Sequence, residues 1–197
     1  MKTQSKHTQL TAYTVGHSTH NLDEFVGLLR AYGIERLVDV RTIPRSRHNP
    51  QFNKDTLGQF LRNRRIAYRN MKELGGLRHS RIDSPNMGWH NASFRGFADY
   101  MQTPEFAAAI DKLIELAREK TTAIMCAEAV PWRCHRSLIG DALLVRGIEV
   151  RDIFSTKSAK PHTMTAMAVL DGRQITYPPQ NEGKGDTPAS KNIQMEN

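Results

Sequence analysis

The sequence predicts an α/β fold: a mainly parallel sheet flanked by helices on both faces, with a C-terminal β-hairpin. Three observations predict it. Short apolar, β-rich runs alternate with amphipathic helical periodicity from Ala12 to Ile153. The helical runs carry their own start and stop signals. Asp171-Gly172 then sits between two alternating segments, a strong hairpin signal.

Residues 12–15 (AYTV) read as a buried strand running into Gly16-His17-Ser18. Asn21 is placed to cap a helix, with Glu24 completing a capping box. Phe25, Leu28, Leu29 and Tyr32 share one face, and Gly33 stands where a C′ glycine belongs. Residues 37–40 (LVDV) form the next strand, continuing into Arg41. Asn53 can cap a helix from Lys54 to about Arg65, with Leu57, Phe60 and Leu61 inward. Residues 66–69 give a short strand before Glu73-Leu74-Gly75-Gly76. Residues 77–93, rich in Gly, Pro, Asn and Ser, read as a long irregular loop.

Residues 94–101 are expected to be helical. Thr103-Pro104-Glu105 opens a stronger helix whose apolar face is Phe106, Ile110, Leu113 and Ala117. Residues 121–126 (TTAIMC) form a strand, and a loop broken by Pro131 leads to a helix beginning near Cys134 and closed by Gly147. Residues 149–153 are the last sheet strand, and residues 168–177 the hairpin. The reading is one domain over residues 1–177 and a polar, aperiodic tail, expected to be disordered, over residues 178–197. No internal repeat is present.

The order β-α-β-α-β-α-α-β-α-β implies a Rossmann-like three-layer arrangement built from right-handed crossovers. In a parallel sheet the C-terminal strand ends lie along one edge, where α/β proteins keep their ligand sites. Gly16-His17-Ser18, Asp39-Val40-Arg41, Gly75-Gly76 and Cys126-Ala127-Glu128 each follow a different strand. They are expected to converge on one crevice.

Composition narrows the function. The chain has 197 residues and a formal charge of +8, and 39% of it is hydrophobic. No apolar run approaches the roughly 18 residues of a membrane span. The first residues have no apolar core, so a secretory signal is not expected and a cytoplasmic location is. Two cysteines are too few for a disulfide framework. The positive charge is concentrated: between Arg41 and Arg81 there are 11 Lys/Arg against Asp55 and Glu73. That density favours an anionic partner, a nucleotide or nucleic acid above all; a solvated basic face is the plainer explanation.

GHST at residues 16–19, DVRTIPRSRHNPQFN at 39–53, LGG at 74–76, FADYM at 97–101 and CAEAVPWRCHR at 126–136 together resemble the DUF488 family, from about Tyr13 to Tyr177. The resemblance implies a fold and a motif set but no reaction, since the name denotes a domain of unknown function. By resemblance Cys126, Glu128, Cys134, His135 and Arg136 fall on the family's signature. His17, Asp39, Arg41, Pro44 and Ser46 fall on its earlier motifs.

Three readings of the site follow. In the first, Cys126 at a strand end, near a helix N-terminus and Arg133 or Arg136, is a thiolate nucleophile. Glu128, His135 or His17 would move protons. The loop is similar in plan to phosphatase loops, but the six residues between Cys126 and Arg133 are one too many and include no glycine. No phosphatase is therefore inferred. In the second, Cys126, Cys134 and His135, with Glu128 or His17, hold zinc or iron, although adjacent Cys134 and His135 are expected to point apart. In the third, the site binds without chemistry. Arg41, Arg45, Arg47 and Arg136 grip phosphate, with Ser46 in the gripping loop. Phe94, Phe97, Tyr100 and Trp132 are candidates to stack on a base. Gly75-Gly76 marks either a positive-φ turn or a close backbone approach.

The sequence favours an anion pocket at the strand ends with Cys126 and Glu128 as the reactive pair and Arg41, Arg133 and Arg136 holding the ligand, leaning towards an enzyme. The rivals are a nucleic-acid-binding module with structural cysteines and a Cys/His metal site. No cofactor, oligomeric state or membrane association is assigned.

Overall fold

A computed structural model describes residues 9–180. Strand β1 (Thr11–Gly16) leads to helix α1 (Leu22–Ala31), whose capping box is complete: Glu24 N–H donates to Asn21 Oδ1 at 2.8 Å, and Asn21 N–H to Glu24 Oε2 at 3.2 Å. Gly33 follows it with φ +62°, the left-handed geometry expected of a C′ glycine. Strand β2 (Arg36–Asp39) runs to helix α2 (Lys54–Arg62) and strand β3 (Ala67–Asn70). Asn53 precedes α2 but does not cap it; its Oδ1 instead accepts from Ser46 N–H at 2.8 Å and pins the loop after β2.

Helix α3 (Ala92–Tyr100) starts at Asn91, which the sequence reading passed over as a cap. Thr103 caps helix α4 (Pro104–Glu119) as expected, accepting from Phe106 N–H at 3.3 Å. Strand β4 (Thr122–Cys126) ends in a loop with a 3-10 turn over Pro131–Arg133, and helix α5 (Arg136–Leu144) follows. Strand β5 (Glu149–Ser155) is longer than expected because it turns back into β6 (Ser158–Pro161). Strands β7 (Val169–Asp171) and β8 (Gln174–Thr176) make the separate hairpin, with Gly172 at φ +57° in its turn.

The sheet order is β3-β2-β4-β1-β5-β6. The first five strands are parallel; β6 pairs antiparallel with β5. That antiparallel edge is a correction to the sequence reading, which had no strand between residues 153 and 168. The segment SAKP has no apolar alternation to announce it, because it is an edge with one neighbour and half-exposed side chains.

Two cores lie on the two faces. Phe25, Leu29, Leu57 and Leu61 of α1 and α2 pack with Val15, Leu37 and Met125. Phe97, Phe106, Ile110, Leu113, Leu138 and Leu143 of α3, α4 and α5 pack with Val38, Val40, Ile124 and Val150. The three-layer expectation holds. The consequence for function is topological. From β1 the chain crosses by α1 towards β2, and from β4 it crosses by α5 towards β5. Between the C-terminal ends of β1 and β4 the winding reverses, which opens a crevice. The expectation of a disordered tail falls mostly on residues 181–197, which lie outside the described residues.

Candidate functional site

The loops after β1 and β4 are laced together at that crevice. Gly16 is in register with Cys126, His17 N–H donates to Cys126 O at 3.0 Å, and Ser18 N–H to Ala127 O at 2.9 Å. A side chain at residue 16 would overlap the Glu128 carbonyl, so the close approach of the two loops requires Gly16. A cavity of about 380 Å³ opens above them. His17, Arg41, Arg45, Ser46, Gly76, Cys126, Glu128, Arg133, Cys134 and His135 all line it. Four stretches remote in sequence therefore meet, as the topology required.

One group reaches the cavity from the α1/α2 face. Asp39 is fully buried and grips Arg41 through both oxygens: Nε to Oδ1 at 2.9 Å and Nη2 to Oδ2 at 2.7 Å. Tyr68 O–H also donates to Asp39 Oδ2, at 2.7 Å, and Arg41 Nη2 donates again to Phe52 O at 2.7 Å. Burial beside this carboxylate pushes the Tyr68 phenol well above its ordinary range, so it remains a donor. Arg41 Nη1 lies 3.3 Å from His17 Nε2.

That contact fixes the histidine. His17 Nδ1 sits 2.8 Å from Ser18 O and must carry the proton, so Nε2 accepts from Arg41. The ring stacks on Phe52 with centroids 4.2 Å apart. Burial, assisted by the Arg41 charge, lowers its pKa to about 4. His17 is thus neutral with both nitrogens engaged. In this arrangement its Nε2 holds Arg41.

The other group comes from the α4/α5 face. Cys126 Sγ, Cys134 Sγ and a His135 nitrogen lie within 4.8 Å of one another, and both thiols are free. His135 Nε2 is 3.2 Å from Val40 O and 3.0 Å from Leu74 O. Two carbonyls cannot both be approached by a lone pair, so Nε2 is protonated. Nδ1 is then left facing Cys134 Sγ at 3.7 Å. The neighbouring Cys126 thiol, with help from Arg136, pulls the Cys134 pKa down to about 7 against its burial. Cys126 moves the opposite way: the adjacent Cys134 and its own burial push it up. The two thiols titrate as a coupled pair, with the thiolate favoured at Cys134 over Cys126. Of the pair, Cys134 is thus the thiol drawn down, and Cys126, the candidate nucleophile of the sequence, the one pushed up.

The two glycines serve close approaches, Gly75 to Thr42 and Gly76 to His135. Neither Gly75 nor Gly76 has positive φ. A Cβ at Gly76 would stand 2.5 Å from His135 Nδ1, so close approach is the reason for glycine there. Arg136 does not line the cavity. It is 1% exposed and its guanidinium donates to Glu128 O and Ala129 O, the latter at 2.9 Å, holding the loop after β4 in shape. Its charge also favours the Cys134 thiolate. Of the aromatic candidates, Phe94 lines the cavity, Phe97 is core, and Tyr100 lies under the Arg78 guanidinium with its hydroxyl on Glu73 O. Trp132 faces elsewhere.

Sequence reasoning missed most of the cavity's outer wall: Thr42, Ile43, Leu77 and Ser93. The long loop, uninformative in sequence, is well anchored. Asp99, from the FADYM motif, accepts from Arg81 N–H at 2.8 Å, Ser84 O–H and Asn86 Nδ2 at 2.8 Å, while Asn86 Oδ1 accepts from Tyr177 N–H at 2.9 Å. A carboxylate in an otherwise apolar helical face was the available signal.

No curated protein and no solved structure matches the chain. The family match is narrower than the resemblance read from the motifs: it leaves β1 with His17, and β5 onward, outside it. It includes Asp39, Arg41, Gly76, Cys126, Glu128, Cys134 and His135, every other residue on which the cavity's chemistry depends. The model of the domain of unknown function DUF488 matches residues 21–143, more than half of the chain, and the chain belongs to that family.

Proposed function

We propose that this cavity is the centre of a cysteine-dependent enzyme acting on an anionic ligand, a nucleotide, nucleic acid or other phosphate-bearing molecule. The observation that carries the reading is the pairing of two thiols and an oriented imidazole with cations at the mouth of one cavity. Cys134 is the reactive thiol and His135 its partner. Arg41 has one guanidinium N–H beyond those its hydrogen bonds use, and Arg45 and Arg133 are exposed. Those donors suit an anion. Glu128, exposed on the lip, is the group placed to exchange protons with solvent.

Iodoacetamide labelling mapped by peptide mass tests this. Cys134 is expected to react before Cys126, and inorganic phosphate to slow it. Thiols inert in the native protein, together with salt-sensitive nucleic-acid binding, would favour instead a binding module with structural cysteines.

A metal site is the second reading, and one observation favours it. Cys134 and His135 do not point apart: Sγ and Nδ1 are 3.7 Å from each other. The distal N–H of His135 rests on two carbonyls, the support that metal-bound histidines commonly have. Cys126, Cys134 and His135 offer a soft divalent ion three ligands and leave a fourth position towards the cavity. Zinc or iron content in protein purified without chelator decides between a free dithiol and a metal centre.

A further inference from the structure

A second cavity, of about 420 Å³, lies along the same sheet edge beyond β5. Trp132 and Phe154 stand on its wall, 64% and 36% exposed, with ring centroids 6.1 Å apart and planes at 36°. Lys160 Nζ is 5.8 Å from the Phe154 centroid, and Trp89, Asp152 and His162 contribute to the lining. The Trp89 indole N–H is buried and has no hydrogen-bond partner among the described residues.

The two cavities share a wall. Pro131, Trp132 and Arg133 form one 3-10 turn, closed by Cys134 N–H on Pro131 O at 2.9 Å. Arg133 and Cys134 line the first cavity; Pro131 and Trp132 line the second. Pro131 is buried and anchors the turn, so Trp132 is held out on a fixed support. Leaving an indole in water forfeits the transfer free energy its burial would give. A ligand face laid on the Trp132–Phe154 pair would recover it.

Charge and topology indicate the occupant. Arg45 and Arg47 follow β2, Cys126 ends β4 with Trp132 in the loop that follows it, and Phe154 lies near the C-terminal end of β5. In the order β2-β4-β1-β5, two inter-strand steps, about 10 Å, separate Cys126 from Phe154, and the turn carrying Trp132 bridges the interval. A free phosphate is too small to span both. A phosphate in the first cavity joined to a planar base in the second is not. Bases offer their faces for stacking only when unpaired.

We propose that Trp132 and Phe154 form a stacking subsite for a nucleobase of single-stranded nucleic acid whose phosphate lies in the dithiol cavity. The proposal rests on the anion reading of that cavity. The test uses a fluorescein-labelled oligothymidylate, an abasic strand of the same length, and inorganic phosphate protection of Cys134 from iodoacetamide. Trp132→Ala should weaken oligothymidylate binding about tenfold, within the range of one stacked base. It should leave abasic-strand binding and phosphate protection unchanged. Phe154→Ala should act in the same direction. Circular dichroism of both variants confirms that they fold. Equal affinity of wild-type protein for the two strands, no binding of oligothymidylate, or indifference to Trp132→Ala overturns the subsite. Loss of phosphate protection in wild-type protein, with the Trp132 effect intact, instead removes the anion reading and leaves base stacking standing.

Discussion

Two clusters of ionisable side chains are buried beside one another along this sheet edge, and they differ in what they leave unsatisfied. In the first, His162 bridges two carboxylates, Nδ1 to Asp152 Oδ2 at 2.9 Å and Nε2 to Asp141 Oδ1 at 3.2 Å. Thr14 takes the other oxygen of Asp152. Tyr177 O–H takes the other oxygen of Asp141 at 2.9 Å, and Thr165 N–H adds to Oδ1 at 3.1 Å. Every carboxylate oxygen has a partner, and the network joins β1, α5, β5 and the segment after β8. The dithiol cluster has no carboxylate of its own; its cysteines line the cavity, as does Arg41, which has one N–H beyond its hydrogen bonds. A closed network holds a fold together; an open one in a cavity is available to a ligand.

The largest expected effect lies in the closed network. Replacing His162 with Ala leaves two carboxylates buried without their cation and should cost about 3–5 kcal/mol in urea unfolding. Cys134→Ala should cost only about 1 kcal/mol. Comparable losses would erase the distinction. The pH dependence has a definite sign. Burial opposes the His162 charge, but its hydrogen bonds to Asp141 and Asp152 more than offset this and raise its pKa to about 9. The folded value exceeds the ordinary 6.5, so the contribution is fully present below pH 6.5 and is lost as pH rises through about 9. The loss is on the order of 3 kcal/mol, and it should vanish from the His162→Ala protein.

Asp39 sits between the two types. It is as buried as Asp141, yet it serves the open site by holding Arg41. Asp39→Asn should therefore have two signatures: a stability loss of about 2–3 kcal/mol, and loss of phosphate protection at Cys134. Loss of stability with protection intact would make Arg41 structural and move the anion to Arg45 and Arg133.

How far the sequence could be read follows the same division. Capping boxes, C′ glycines and the Asp-Gly turn are local signals, and the helices and hairpin they predict are present. The gathering of His17, Arg41 and Cys126 was legible because parallel topology alone forces it. What was not legible depends on side-chain direction. Nothing in CAEAVPWRCHR tells that Arg136 turns back onto carbonyls, or that the Cys134 pKa falls while that of Cys126 rises. The His162 network was invisible because its members come from β1, α5, β5 and the chain beyond, and no spacing relates them. Strand β6 escaped for want of an apolar pattern.

The smallest expected effect tests the open cluster from within. The Cys126 thiol is the main cause of the lowered Cys134 pKa, ahead of the Arg136 charge. In chelator-treated protein, iodoacetamide reactivity of Cys134 should rise with pH around a midpoint near 7, the value to which the pair brings it. In Cys126→Ala that midpoint should move up towards an ordinary thiol, with folding stability little altered. An unmoved midpoint would assign the charge stabilisation to Arg136 alone and make Cys126 a strand-end core residue. A midpoint moving up while stability holds would show that this cluster's coupling tunes proton affinity, where the His162 network's coupling sustains the fold.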